Sequence, residues 1–329
     1  MTADGDCNRF LAATCSRRDE NEIYLLEYST DSPNKLSCVA VYAHPAEIWR
    51  LAPCPSRDDL VITLHAAAAS DGSRQATLWK LQDAGEEGAM RSLDELATFP
   101  GGAGASHQVG SVLWSPESGS FDVVTTDRST LTHWSLAESD LSKPRSSQSV
   151  TAGGVITAAC WDPLTVTRVL SSSRGGIHSW DTRELGSGSG APTTEVARAH
   201  EGAVLSLDCN PNRPQQVMST GADQLIKMWD LRKTAAPVLT LPGHSHWAAA
   251  ARYNPTYDQL VLSGSSDHTV RLWGASSVSS EPFGSASSEG EEQGPAEIEQ
   301  NDGPLVRASL FSRLPCCVPC VLAWRRGDH

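Results

Sequence analysis

Residues 200–232, HEGAVLSLDCNPNRPQQVMSTGADQLIKMWDLR, and 244–273, HSHWAAAARYNPTYDQLVLSGSSDHTVRLW, share one layout in which a Trp stands 29 residues after an initial His. In the first unit a run at 204–207 leads to a turn at Asn210-Pro211-Asn212. A second run follows around Val217-Met218, then a tight turn at Gly221-Ala222-Asp223, then a third run ending at Trp229. Gly, Pro, Asn and Asp supply the backbone angles that strands cannot adopt, so the unit reads as short antiparallel strands joined by turns. One such sheet cannot cover both of its apolar faces. Copies laid side by side can, because each shields the next.

Working outward, Trp79, Trp134, Trp180, Trp229 and Trp273 close similar runs at separations of 55, 46, 49 and 44 residues, a propeller-blade period with loop insertions. The expected fold is therefore all-β, a WD40 β-propeller. His200, Asp223 and Trp229, and equally His244, Asp267 and Trp273, resemble the WD40 His-Asp-Trp hydrogen-bond network, with Ser219 and Ser263 as its hydroxyl members. A buried imidazole and carboxylate need partners, and an indole N–H and a hydroxyl complete the set. Ser, His and Asp together also suggest a catalytic triad. Recurrence with the blade period favours the structural role, since an active site need occur only once.

The remaining units are weaker. His107 precedes Trp134, with Asp127 seven residues before the Trp instead of six; the unit from His44 to Trp79 is stretched by residues 66–75. The unit ending at Trp180 carries Arg174 where Asp is expected and lacks the initial His. Before these, residues 10–14, 22–28 and 36–41 suggest three strands of an incomplete first blade. The expected organisation is a propeller over 1–280, with the first blade at 10–43 and five further blades at 44–280. About six blades are thus present.

Composition narrows the function classes. Lys and Arg number 26 against 39 Asp and Glu, a formal net charge of −13, which disfavours phosphate backbones and anionic membrane surfaces as partners. No stretch has the roughly 18 consecutive apolar residues of a membrane span, and the first ten residues do not resemble a secretory signal. The expectation is a cytoplasmic protein without a membrane span, nucleic-acid partner or cofactor. Nine cysteines show no even disulfide framework. The C-x-x-C within Cys316-Cys317-Val318-Pro319-Cys320 lacks a second ligand pair for zinc.

Beyond the generic repeat, several stretches resemble the EARP and GARP complex-interacting protein family. They include Ala46-Glu47-Ile48-Trp49, Ala199-His200 through Asn210-Pro211-Asn212, His244-Ser245-His246-Trp247, Arg252-Tyr253-Asn254, Gly264-Ser265-Ser266-Asp267 and Ser279-Ser280-Glu281-Pro282-Phe283-Gly284. The resemblance implies a non-catalytic scaffold that binds subunits of the EARP and GARP vesicle-tethering complexes. It implies a place at the periphery of endosomes and the trans-Golgi network, in endosomal recycling and retrograde transport. The alternatives are an interaction subunit of another complex and, further off, a propeller hydrolase. Trp49, His246, Trp247 and Arg252 lie near blade-entry positions and are candidate partner contacts.

The resemblance also implies a seventh, final blade. Residues 281–303 read as an acidic linker, with seven acidic residues and no basic one between 281 and 302. Residues 304–329 show no His-to-Trp unit and read as a divergent, disordered tail standing where that blade would be. A missing blade would leave an open sheet edge.

Overall fold

The computed structural model describes residues 7–16, 20–29, 36–67, 73–82, 90–99, 108–186, 191–280, 303–309 and 323–324. The chain divides into two compact units, 1–151 with 313–329, and 152–312. Each unit contains three β-sheets among the described residues. Among the described residues the single helical turn is the 3-10 segment Ser276–Val278.

In the first unit, strands β1 (Cys7–Ala13), β2 (Asn21–Ser29) and β3 (Leu36–His44) form consecutive antiparallel pairs. The second sheet runs β4 (Ile48–Pro53), β5 (Leu60–Ala66), β6 (Arg74–Leu81) and then β8 (Leu93–Phe99). Between the last two lies β7 (Met90–Arg91), which pairs in parallel with β3 and so extends the first sheet. The third sheet comprises β9 (Ser111–Trp114), β10 (Val123–Thr126), β11 (Thr130–Ala137) and β12 (Asp140–Thr151).

The second unit repeats the plan. Its first sheet, the fourth of the chain, has β13 (Ile156–Trp161), β14 (Arg168–Ser173), β15 (Gly176–Asp181) and β16 (Thr194–Val196). The fifth has β17 (Val204–Cys209), β18 (Gln216–Gly221), β19 (Ile226–Asp230) and β20 (Leu239–Leu241). The sixth has β21 (Ala248–Tyr253), β22 (Leu260–Ser265), β23 (Thr269–Gly274) and β24 (Gly303–Ser309).

Side chains alternate across a strand, so a sheet with a neighbour on each side needs apolar residues on both faces. The second strands show this most clearly, with β5 and β18 buried almost throughout. On β5, Val61 packs with Leu11, Ile23 and Tyr42 of the first sheet, while Leu60, Ile62 and Leu64 pack with Val112 and Val123 of the third. On β18, Val217 packs with Leu170 and Ile177 of the fourth sheet, while Met218 packs with Ala251 and Val261 of the sixth.

Two strands come from the segment read as a tail. Gly303–Ser309 pairs with β23 from Thr269↔Ser309 to Gly274↔Gly303 and makes the sixth sheet four-stranded. Farther on, β25 (Ala323–Trp324) pairs with β1 at Phe10 and Leu11, so the first sheet runs β25-β1-β2-β3-β7 and is not the incomplete blade its own segment suggested. The reading of 304–329 as a disordered tail is thus corrected at these two places. An outer strand is bonded on one side only and needs no turns or His-to-Trp unit of its own, merely a free edge to join. Pro304 fits because proline is tolerated near the start of an edge strand. The acidic stretch 281–302 and the cysteines at 316, 317 and 320 lie outside the described residues.

Candidate functional site

The second strand of five sheets carries a recurring triplet, Val-x-Thr or Val-x-Ser: Val61/Thr63, Val123/Thr125, Val169/Ser171, Val217/Ser219 and Val261/Ser263. Each Val stands directly opposite a Trp of the third strand, Trp79, Trp134, Trp180, Trp229 and Trp273 in turn. Two residues on, the hydroxyl lies on the same face and accepts that indole's N–H at 2.8, 2.8, 2.8, 2.9 and 2.7 Å. The His-Asp-Trp spacing points only to Ser219 and Ser263. The Val-x-Ser/Thr triplet is the signal that finds Thr63, Thr125 and Ser171.

In the fifth sheet the hydroxyl continues into a longer network. His200 Nε2 lies 2.7 Å from Ser219 Oγ, and His200 Nδ1 lies 2.7 Å from Asp223 Oδ1. Asp223 also accepts the Glu201 backbone N–H at 3.2 Å and Lys227 Nζ at 3.3 Å. Burial lowers the pKa of His200 against the opposing pull of its hydrogen bond to Asp223. Burial alone would raise that of Asp223, but the bonds from His200 and Glu201 and the Lys227 charge outweigh it and the net direction is down. A neutral imidazole therefore donates Nδ1–H to a carboxylate and accepts the Ser219 hydroxyl proton at Nε2, while Ser219 Oγ accepts from Trp229. Every polar atom in the chain of contacts is satisfied.

Backbone geometry holds this network in place. The β14–β15 turn of the fourth sheet consists of Arg174 and Gly175 alone, at φ 52° and 76°, the left-handed pair of a tight hairpin. Gly175 O accepts the backbone N–H groups of Ala199 and His200 at 2.9 and 3.1 Å and so fixes where the His200 ring begins. A Cβ on Gly221 would sit 2.3 Å from His200 Nδ1 and 2.6 Å from Asp223 Oδ1. In this sheet the glycine leaves ring and carboxylate room to close over the strand end, whereas the sixth sheet has Ser265 in the matching place.

The sixth sheet has the same arrangement. His244 Nε2 meets Ser263 Oγ at 2.7 Å and Nδ1 meets Asp267 Oδ2 at 3.0 Å, with Ser245 N and Thr269 Oγ1 donating to Asp267 at 3.0 and 2.6 Å. Burial acts to raise the Asp267 pKa, but the Thr269 and Ser245 bonds hold it far below the usual carboxylate range. The other sheets keep less. In the second, His44 Nε2 reaches Thr63 at 3.1 Å, but its Nδ1 faces the Ala46 carbonyl at 2.8 Å where a carboxylate would stand. In the fourth, the two-residue turn leaves no position for a returning carboxylate, and Arg174 is exposed. In the third, Asp127 Oδ1 accepts the Gln108 and Arg128 N–H groups; His107 lies outside the described residues.

This geometry does not serve nucleophilic catalysis. Ser219 and Ser263 are 0% and 1% exposed, their hydroxyls already bonded to indole and imidazole. A nucleophile needs a substrate within reach. Among the described residues no group of three His, Cys, Asp or Glu side chains is placed to hold a metal ion, and no helix is long and apolar enough to cross a membrane.

The candidate contacts divide. Trp247 is 53% exposed just before β21, and the ring of His246 stands 5.1 Å from its own. Arg252, on the same strand, keeps 59% of its side chain exposed while Nη1 bonds Ser206 Oγ and the Leu207 and Ala251 carbonyls at 3.1, 2.9 and 3.1 Å. That guanidinium is thus held in one orientation by the chain itself. Trp49 differs, since the Arg74 guanidinium covers its ring at 4.2 Å and it packs against the core between the second and third sheets.

Comparison with known proteins follows the same outline. The family model described as EIPR1 beta-propeller matches residues 2–273. The chain is 32% identical over 280 residues to WD repeat-containing protein DWA2 of Arabidopsis thaliana, covering 85% of this chain and 76% of that one. It is 32% identical over 305 residues to EARP and GARP complex-interacting protein 1 of Rattus norvegicus, covering 86% and 75%. With EARP-interacting protein 1 of Caenorhabditis elegans the identity is 27% over 292 residues, covering 85% and 75%.

Proposed function

The chain belongs to the EIPR1 β-propeller family, and from that premise we propose that it is a non-catalytic adaptor for the EARP and GARP vesicle-tethering complexes. On this reading it acts in the cytoplasm at the periphery of endosomes and the trans-Golgi network, in endosomal recycling and retrograde transport. One contrast supports the reading above all. The side chains that could do chemistry, Ser219, His200 and Asp223, are consumed inside a sheet, whereas Trp247 and Arg252 are exposed and the latter is held in a fixed orientation. Exposed Trp and Arg are the residue types that anchor protein interfaces.

The contact surface is His246, Trp247 and Arg252. The double variant Trp247→Ala, Arg252→Ala is expected to lose at least ten-fold in co-purification of tethering-complex subunits while its β-sheet circular-dichroism spectrum at the assay temperature is retained, since losing two anchors costs about 2 kcal/mol or more. Undiminished co-purification would remove this surface. Failure of the unaltered chain to retain any tethering subunit would favour an interaction subunit of a different complex, a reading kept open by the Arabidopsis relative, whose name mentions no tethering complex.

A further inference from the structure

The first strands of the fifth and sixth sheets are clamped by a side chain that reaches across. Asp208, next to last on β17, accepts the backbone N–H of Tyr253, the last residue of β21, at 2.8 Å. The matching positions one sheet earlier are Cys160, next to last on β13, and Cys209, the last residue of β17. Their sulfur atoms lie 3.5 Å apart. Both are free, buried thiols within the apolar cluster shared by the fourth and fifth sheets.

We propose that Cys160 and Cys209 are an oxidisable clamp, a dithiol that a peroxide converts to a disulfide joining the fourth sheet to the fifth. One thiolate attacks a peroxide oxygen; the O–O bond breaks, the sulfur becomes a sulfenic acid, and hydroxide takes up the released proton as water. The second sulfur then attacks the sulfenic sulfur, the S–S bond forms, and the hydroxyl leaves as a second water. Two thiols give two electrons to one hydrogen peroxide, and nothing else is consumed.

Geometry favours the second step, because the resolving thiol is already in contact and the sulfurs need close by only about 1.5 Å to reach the bonded distance of ~2.05 Å. The first step is slow. The neighbouring Cys160 and burial push the Cys209 thiol well above its ordinary pKa, so it is held protonated, and peroxide reaches the pair only when the sheets part briefly. Oxidation is therefore a cumulative mark and not a rapid signal. Once formed, the bond closes a loop of 49 residues and restricts the unfolded chain.

The test uses the full chain treated with hydrogen peroxide under native conditions, alkylated in denaturant, digested and weighed. The expected product is a peptide pair joining Cys160 to Cys209, about 2 Da lighter than the two thiol peptides together and separated by reductant. The thermal midpoint should rise by about 5 °C and fall back on reduction. Cys160→Ala and Cys209→Ala should each abolish both the linked pair and the shift. Recovery of both cysteines as separate alkylated or sulfonic peptides, linkage to Cys15 or Cys38 instead, or a 160–209 link that forms only in denaturant would each overturn the proposal.

Discussion

In the fifth sheet the imidazole of His200 gives its Nδ1 proton to the carboxylate of Asp223; in the second, His44 gives it to the carbonyl of Ala46. Both rings meet a strand hydroxyl that also accepts a Trp indole. The fourth sheet has neither ring nor carboxylate in that place, yet keeps the pair of Trp180 and Ser171. Indole and hydroxyl are thus the common element of five sheets. Imidazole and carboxylate are added where the turns leave room, and they tie the loop before the first strand to the turn before the third. A carboxylate gives the neutral imidazole a charged acceptor and a carbonyl gives it a neutral one, with different consequences for mutation and for pH.

Asp223→Ala should break the comparison most severely. It strips a carboxylate from His200 Nδ1, the exposed Glu201 N–H and Lys227 Nζ at once, leaving the buried imidazole donor unpaired, and should cost about 3 kcal/mol in a urea unfolding experiment. The second sheet has no side chain whose removal would do the same to His44. A loss below about 1 kcal/mol would mean that the carboxylate contributes no more than the carbonyl does.

Acid should reverse the ranking. Burial lowers His44 from 6.5 to about 4, so between those values the unfolded chain binds a proton that the folded chain refuses. The contribution is complete above pH 6.5 and is lost as pH falls toward 4. Going from pH 7 to pH 5 should cost about 2 kcal/mol from His44, with His65 and His200, also lowered by burial, acting in the same direction. The lowered Asp223 and Asp267 lose stability only below the ordinary carboxylate pKa of 3.8, outside this window. Unfolding midpoints at pH 7 and pH 5 for the native chain and for His44→Gln measure the difference. An unchanged pH slope in the variant would show that His44 is not the group refusing the proton.

How much of this was legible follows from what each feature requires of the sequence. The strands of the fifth and sixth sheets are bounded by Asn-Pro and Gly or Ser-Asp turns, and their His and Trp are held 29 residues apart by a fixed strand-and-turn length. The six-sheet, all-β architecture could be read from that repeat. Where a turn shortens, as at Arg174-Gly175, the carboxylate position vanishes and the repeat blurs, although the underlying Val-x-Ser persists. The strand at Gly303–Ser309 was illegible for another reason. It has one bonded neighbour, β23, reached only after the acidic stretch, and pairing at an open edge asks little of side-chain pattern.

Gly221→Ala should have a smaller effect, about 1.5 kcal/mol. The added methyl meets His200 Nδ1 at 2.3 Å and Asp223 Oδ1 at 2.6 Å, so ring and carboxylate must draw apart, while the strand backbone gains a better-behaved residue. Thermal unfolding reads the loss. Combining Gly221→Ala with Asp223→Ala should give less than the sum, because both act on one contact. Additivity would mean that the methyl disturbs something else.

The smallest effect should come from Ser171→Ala, about 1 kcal/mol. In the fourth sheet Ser171 accepts the Trp180 indole, so removing the hydroxyl orphans one buried N–H. Ser219→Ala in the fifth sheet should cost about twice as much, since the same atom serves Trp229 and His200 and its loss leaves an indole donor and an imidazole acceptor unmet. The ratio of the two losses, measured in one denaturant series, isolates what the imidazole adds to the indole–hydroxyl pair. Equal losses would mean that His200 is held by Asp223 and the Gly175 carbonyl alone, and that its contact with Ser219 is incidental.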